Sequence, residues 1–241
     1  MFTMGNLFCG FLSILSSMDG EALHACRFIL LGMFLDGLDG FVARVSRGTT
    51  RFGVEFDSLA DMITFGLAPA ILVYSFQLKA LGKWGWVLGF VYVMCGAFRL
   101  ARYNLDARGK QRGGFEGLPI PAAATLLVAY TMLCFDLWGE LRYVRFLVIM
   151  MIVASALMVS SIPYEDKPTR WRTPLDRIKF TYIFVAIVAL LIDLSKTLFW
   201  LILIYVLSGV GREVFDLVRA GTGHGERRRR SSGRPGPPEI S

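Results

Sequence analysis

The chain has 241 residues, of which 54% are hydrophobic and 19% charged, and its formal net charge is +7. A mean hydropathy of +0.52 excludes an ordinary water-soluble domain and is typical of a polytopic membrane protein. Nucleic-acid binding is a poor explanation of the basic charge, because most lysines and arginines flank apolar segments, where they determine membrane topology. We predict an all-α, polytopic membrane helix bundle.

Eight apolar segments follow one another along the chain. They cover residues 2–17, 22–47, 53–78, 83–103, 118–138, 142–162, 178–195 and 197–218. We therefore predict about eight transmembrane helices in one domain of residues 1–220. Residues 221–241 are rich in Gly, Pro, Ser and Arg, a composition that predicts a disordered, basic cytoplasmic tail.

The loops differ strongly in positive charge. Of the 26 lysines and arginines, 20 lie at the C-terminal ends of the second, fourth, sixth and eighth segments or in the chain that follows them. Cytoplasmic loops carry the excess of positive charge in membrane proteins. This asymmetry predicts an integral protein of the cytoplasmic membrane with both chain ends in the cytoplasm.

The second apolar segment contains two aspartates, Asp36 and Asp39. Each residue of an α-helix advances by roughly 100°, so Asp36, Asp39, Gly40, Ala43 and Arg44 share an arc of about 140°. The carboxylates therefore point to the same side of the predicted helix.

The third segment repeats this arrangement with Gly53, Asp57 and Asp61, which lie four residues apart and form one stripe. A carboxylate inside the bilayer costs about 2.5 to 3.5 kcal/mol on insertion scales, so four of them require compensation. We predict that the second and third helices face each other and pool Asp36, Asp39, Asp57 and Asp61. Hard oxygen ligands of this kind suit two divalent cations, Mg²⁺ or Mn²⁺, with Ca²⁺ as a bound substitute.

The residues beside these acids indicate which ligand the cations would bind. Gly40 and Gly53 allow a close approach to the backbone, either by another helix or by a ligand. Arg44 offers a planar cationic fork that suits phosphate. Carboxylates, glycines and an arginine together predict a diphosphate site in the cytoplasmic half of the membrane.

At the end of the fourth segment lie Arg99, Arg102 and Asn104. Two arginines three residues apart are able to bind a carboxylate through bidentate hydrogen bonds. The alternative is that they are ordinary basic anchors at the membrane surface.

The acidic region resembles the signature of the CDP-alcohol phosphotransferase family, with every fixed position present. It reads DGLDGFVAR at residues 36–44, then eight residues, then GVEFDSLAD at residues 53–61. Three further motifs resemble the members of that family that use serine as acceptor. They are GNLFCGFLSI at 5–14, FRLARYN at 98–104 and GLPIPAAA at 117–124. These three motifs are less specific than the aspartate signature.

The resemblance implies a six-helix core and a two-metal transfer of the phosphatidyl group from CDP-diacylglycerol to the hydroxyl of L-serine, with release of CMP. It also implies a homodimer embedded in membrane lipids. Asp36, Asp39 and Asp57 would be metal ligands, and Asp61 would be the general base beside a metal. The CDP contacts would be Gly40, Ala43, Arg44, Gly53, Thr3 and Asn6, and the acceptor contacts Arg99, Arg102 and Asn104.

Two other functions remain open from the residues. A sister enzyme would use the same donor with glycerol 3-phosphate or inositol phosphate as acceptor, which calls for a denser basic pocket. A divalent-cation transporter would use membrane carboxylates as an ion path, but it would need broken helices near the midplane and would have no use for Arg44.

Overall fold

The computed structural model describes residues 2–46, 50–107, 117–162, 193 and 195–212. Within these ranges all regular structure is helical, as predicted. The helices are α1 (Phe2–Met18), α2 (Ala22–Ser46), α3 (Arg51–Asp61), α4 (Ala68–Phe76), α5 (Lys83–Ala107), α6 (Ile120–Trp138), α7 (Val144–Val159) and α8 (Ser195–Arg212). A π-helical turn, Met62–Leu67, joins α3 directly to α4, and a short 3₁₀ turn, Leu78–Leu81, precedes α5.

Four of the described helices are long and apolar enough to cross a membrane: Phe52–Phe76, Lys83–Leu105, Ile120–Trp138 and Ser195–Arg212. Helix α2 has 25 residues, a sufficient length, but charged residues interrupt its apolar character. The helices α1 and α7 have 17 and 16 residues and are shorter than a usual span. The protein is therefore an integral membrane protein, while eight crossings and a six-helix core stay predictions.

Parts of the predicted architecture lie outside the described residues. They are most of the seventh apolar segment, the end of the eighth, and the tail of residues 221–241. The domain boundary at residue 220 also stays a prediction.

Helix α1 turns its small and polar residues inward and its large apolar residues outward. Its buried residues are Asn6, Cys9, Gly10, Ser13, Ser16 and Ser17. Phe8 and Phe11, by contrast, are 59% and 52% exposed. Small residues at helix contacts let backbones approach closely in a membrane, where apolar side chains are equally well placed in lipid.

A close approach joins α1, α2 and the π turn around Thr64. A Cβ atom on Gly10 would lie 2.5 Å from Thr64 Oγ1 and 2.9 Å from its Cα. A Cβ atom on Gly32 would lie 2.6 Å from Thr64 Cγ2. Because the Thr64 backbone itself is part of the contact, only glycine fits at position 10.

The π turn begins directly after Asp61. The Ala68 N–H bonds to the Ile63 carbonyl, five residues back, and Pro69 has no N–H to continue the regular pattern. The buried Tyr92 hydroxyl of α5 donates to the Phe65 carbonyl at 3.2 Å. A neighbouring helix thus satisfies a backbone group at the irregular turn, as required inside a membrane.

Helices α4 to α7 form an apolar support behind these elements. On α6, Leu127 and Val128 are fully buried. The turn before α6 holds Gly117 with a positive φ of 54°, and the Leu118 N–H donates to the Leu157 carbonyl of α7 at 2.9 Å. A Cβ atom on Gly117 would lie 2.5 Å from the Met158 carbonyl oxygen, so the start of α6 is set tightly against the end of α7.

Candidate active site

Three aspartates from two helices converge in one cluster. Asp36 lies on α2, and Asp57 and Asp61 lie one turn apart on α3. One carboxylate oxygen from each lies within 4.8 Å of the other two. The structure therefore brings together three of the four acids that the sequence singles out, across the interface of the two predicted helices.

Asp39 lies beside this cluster and has a partner from α1. The Thr3 hydroxyl donates a hydrogen bond to Asp39 Oδ2. The charge of Asp39 also acts on both Asp36 and Asp57. The four carboxylates are thus close enough to interact, and Thr3 ties Asp39 to α1.

The acidic cluster fits a divalent cation. Like charges at this separation repel each other, and an ion between them would remove that repulsion. Asp57 Oδ1 is buried and has no hydrogen-bond partner in the described part of the chain, so an oxygen ligand is left available. Carboxylate oxygens are the ligands that Mg²⁺, Mn²⁺ and Ca²⁺ prefer.

Asn6 of α1 also contacts the cluster, through Asp61. Its side chain is completely buried, and Asn6 Nδ2 donates to Asp61 Oδ1 at 3.0 Å. The Thr64 hydroxyl donates to the Asn6 backbone carbonyl at 2.9 Å. The described hydrogen bonds of Thr3 and Asn6 therefore lead to aspartates, and their predicted contact with CDP stays a prediction.

The residues predicted to receive CDP are placed differently from one another. Gly40 is exposed, and a Cβ atom there would meet no other atom within 4 Å, so its backbone borders open space. The Gly53 N–H donates to Thr50 Oγ1 at 3.0 Å, which makes Thr50 the N-cap of α3. The side chains of Ala43 and Arg44 lie outside the described residues.

The two arginines predicted to bind the acceptor have different surroundings. Arg99 lies with its guanidinium 5.5 Å from the ring centroid of Tyr103, and its charge acts on Asp61. Arg102 Nη1 donates to the Val159 carbonyl at the end of α7, at 3.1 Å. The two arginines thus make different described contacts, one with an aromatic ring of α5 and the other with the end of α7.

Asn104 faces α3. Its Nδ2 donates to Ser58 Oγ at 2.9 Å, and Ser58 follows Asp57 directly in the chain. Ser58 in turn donates to the Val54 carbonyl at 3.1 Å. Asn104 thus ties the C-terminal end of α5 to the acid-bearing helix.

Sequence reasoning missed three residues that shape the site: Ser58, Thr64 and Tyr92. Their roles depend on partners in other helices, and none of the three is a fixed position of the signature. One indirect signal exists for the π turn, because a proline within a long apolar segment indicates a local departure from α-helix. Pro69 is that proline.

Comparison with known proteins agrees with this arrangement. A family model described as CDP-alcohol phosphatidyltransferase matches residues 1–160, which include α1 to α7. The CDP-diacylglycerol--serine O-phosphatidyltransferase of Helicobacter pylori is 33% identical over 225 residues, 91% of this chain and 92% of the relative. The enzyme of the same name from Bacillus subtilis is 41% identical over 128 residues, 53% of this chain and 71% of the relative. The archaetidylserine synthase of Methanothermobacter thermautotrophicus is 40% identical over 166 residues, 68% and 67% of the two chains.

Proposed function

The chain belongs to the CDP-alcohol phosphatidyltransferase family, and we propose that it transfers the phosphatidyl group of CDP-diacylglycerol to L-serine, giving phosphatidylserine and CMP. The observation that carries this proposal is the convergence of Asp36, Asp57 and Asp61 within the membrane-spanning bundle. The choice of serine is supported by relatives that carry the name of a serine O-phosphatidyltransferase.

The reaction is a displacement at phosphorus. The serine hydroxyl oxygen forms a bond to the phosphorus that bears diacylglycerol, the bond between that phosphorus and the CMP oxygen breaks, and CMP leaves. The serine hydroxyl proton passes to the Asp61 carboxylate. A hydroxyl is a weak nucleophile near neutral pH, so a positioned base contributes about 10² to 10⁴ in rate.

Asp36, Asp39 and Asp57 would hold two divalent cations, Mg²⁺ or Mn²⁺, with Asp61 beside them. When bound, such cations neutralise the diphosphate and stabilise the negative charge on the departing CMP. The buried Asp57 Oδ1 without a hydrogen-bond partner among the described residues supports this ligand set. The uncovered backbone at Gly40 leaves room for the CDP part. By resemblance to the family signature, Ala43, Arg44 and Gly53 would also contact CDP.

We assign serine recognition to the α5 end of the site. Arg99 would bind the serine carboxylate, because its charge already acts on the cluster at Asp61. Arg102 is bonded to the end of α7, and Asn104 to Ser58, so both would support the pocket wall. The distribution of positive charge supports a site open to the cytoplasm. The second protomer of a homodimer is proposed by resemblance alone.

The test is a transfer assay with purified protein in detergent, CDP-diacylglycerol, labelled L-serine and Mn²⁺. We expect serine-dependent release of CMP and formation of a labelled lipid. The matched control is the Asp36→Asn variant, which keeps the side-chain shape and removes one charge of the cluster. Activity with glycerol 3-phosphate or inositol phosphate but none with serine would assign a sister enzyme. Uptake of Mn²⁺ into vesicles without lipid synthesis would indicate a transporter instead.

A further inference from the structure

Helix α1 places two hydrogen-bond donors on one face against the acidic cluster. Thr3 and Asn6 are three residues apart, so they lie on the same side of the helix. The Thr3 hydroxyl donates to Asp39 of α2, and Asn6 Nδ2 donates to Asp61 of α3 at 3.0 Å. One donor thus reaches each of the two helices that carry the acids.

The position of Asn6 is determined by its surroundings. Thr64 Oγ1 donates to the Asn6 carbonyl at 2.9 Å, and a Cβ atom on Gly32 would lie 3.0 Å from Asn6 Oδ1. Within the described residues that amide oxygen is buried without a hydrogen-bond partner, which is unfavourable. An apolar residue of the same shape would avoid this loss, so folding alone does not explain an asparagine here.

We propose that Thr3 and Asn6 are positioning residues for the acidic cluster, a role distinct from contact with CDP. Each hydrogen bond occupies one oxygen of a carboxylate and leaves the other oxygen for a cation. Asn6 holds Asp61 Oδ1 and leaves Oδ2, and Thr3 holds Asp39 Oδ2 and leaves Oδ1. Partners of this kind orient metal ligands, and losing one typically costs 10- to 100-fold in metal affinity or activity.

The inference rests on the proposed function for the role of Asp61, but its first test is metal binding alone. Mn²⁺ binding to the full chain in detergent is titrated by electron paramagnetic resonance, without substrates. We expect Thr3→Val and Asn6→Leu, which keep the side-chain shapes, to weaken Mn²⁺ binding by about 10- to 100-fold. Thr3→Ser keeps the hydroxyl and should stay within about twofold of the unchanged protein.

Ser13→Ala is the matched control on α1. Ser13 is fully buried on the same helix, and its hydroxyl has no hydrogen-bond partner among the described residues. We expect a change of no more than about twofold. If Thr3→Val and Asn6→Leu bind Mn²⁺ as tightly as Ser13→Ala, the proposal is wrong.

Double-mutant cycles separate positioning from a general loss of structure. If Asn6 acts through Asp61, adding Asn6→Leu to Asp61→Ala should weaken Mn²⁺ binding by less than about twofold more. An equal effect of Asn6→Leu with and without the Asp61 carboxylate would overturn the inference. If Asn6→Leu does not fold, the cycle of Thr3→Val with Asp39→Ala decides the question.

The transfer assay distinguishes this inference from the proposed function. If serine-dependent CMP release is present but the Mn²⁺ cycles show no coupling, the inference fails and the proposed function stands. If the cycles show coupling but serine yields no CMP, the proposed function fails and the positioning role stands.

Discussion

The helices α1 to α3 and the helices α6 and α7 are held together in different ways. The first group meets through glycines, Thr64 and a buried asparagine, with hydrogen bonds between helices. The second group buries apolar side chains such as Leu127 and Met151. Polar contacts fix distance and direction, whereas an apolar side chain in a membrane gains little by exchanging lipid for protein. The acidic cluster therefore lies among α1 to α3, where exact geometry is required, and the apolar helices α6 and α7 support it.

Removing divalent cations should disturb only the acidic cluster of α2 and α3, and its effect on CMP release should be the largest. We expect EDTA to abolish CMP release and added Mn²⁺ or Mg²⁺ to restore it, because the clustered carboxylates would lose their counter-charge. Helix content, followed by circular dichroism, should remain. EDTA loaded beforehand with Mg²⁺ is the control. Full activity in EDTA would show that the reaction does not require cations at the acidic cluster.

Asp61→Asn should come next in size. It removes the proton acceptor but keeps the side-chain shape, so turnover should fall by about 10² to 10⁴. Binding of CDP-diacylglycerol should change little, because the nucleotide contacts are proposed to lie elsewhere. Met151→Leu on the apolar helix α7 is the control, and we expect it to lose less than about 1.5 kcal/mol in stability. Near-normal turnover of Asp61→Asn would refute the base assignment.

Gly10→Ala tests the close contact between α1 and the π turn. The new Cβ atom would lie 2.9 Å from Thr64 Cα, and the backbone there has little room to move. We expect a loss of about 1 to 3 kcal/mol in stability, measured by thermal unfolding in detergent, together with reduced turnover. Gly89→Ala on α5 is the matched control, because its Cβ atom would meet nothing within 4 Å. Equal stability of the two variants would contradict the contact.

Arg99 and Arg102 differ in their described interactions, because the charge of Arg99 acts on Asp61, whereas Arg102 bonds to the end of α7. Arg99→Lys loses a bidentate fork, so the KM for serine should rise by about tenfold with kcat less affected. Arg102→Lys should change the KM for serine much less. Steady-state kinetics with varied serine provides the measurement, and a larger KM effect at Arg102 would reverse the assignment.

The smallest expected effect is that of Tyr92→Phe, where α5 contacts the π turn. The variant loses the hydroxyl that donates to the Phe65 carbonyl, which should lower stability by about 1 kcal/mol. Turnover should fall only slightly, because the ring keeps its packing. Unchanged stability would indicate that the carbonyl is satisfied within its own helix.

Much of the site could be predicted because helix periodicity is a local property. The spacing of Asp36, Gly53, Asp57 and Asp61 defines which side of each helix they occupy, without reference to any neighbour. The helix bounds of α2, α5 and α6 agree with the apolar segments to within a few residues. Helix periodicity could not distinguish the role of Arg99 from that of Arg102, since both lie on the same helical face.

The sequence by itself determined the helical class, the membrane setting and the acids of the signature, because these follow from hydropathy and local spacing. Only the tertiary structure decided that Asp39 bonds to Thr3 and Asp61 to Asn6, and that a π turn follows Asp61. The rotation and register of one helix against another depend on where glycines permit close approach, here Gly10 and Gly32 at Thr64. Those contacts join residues more than 30 positions apart, and no local pattern specifies them.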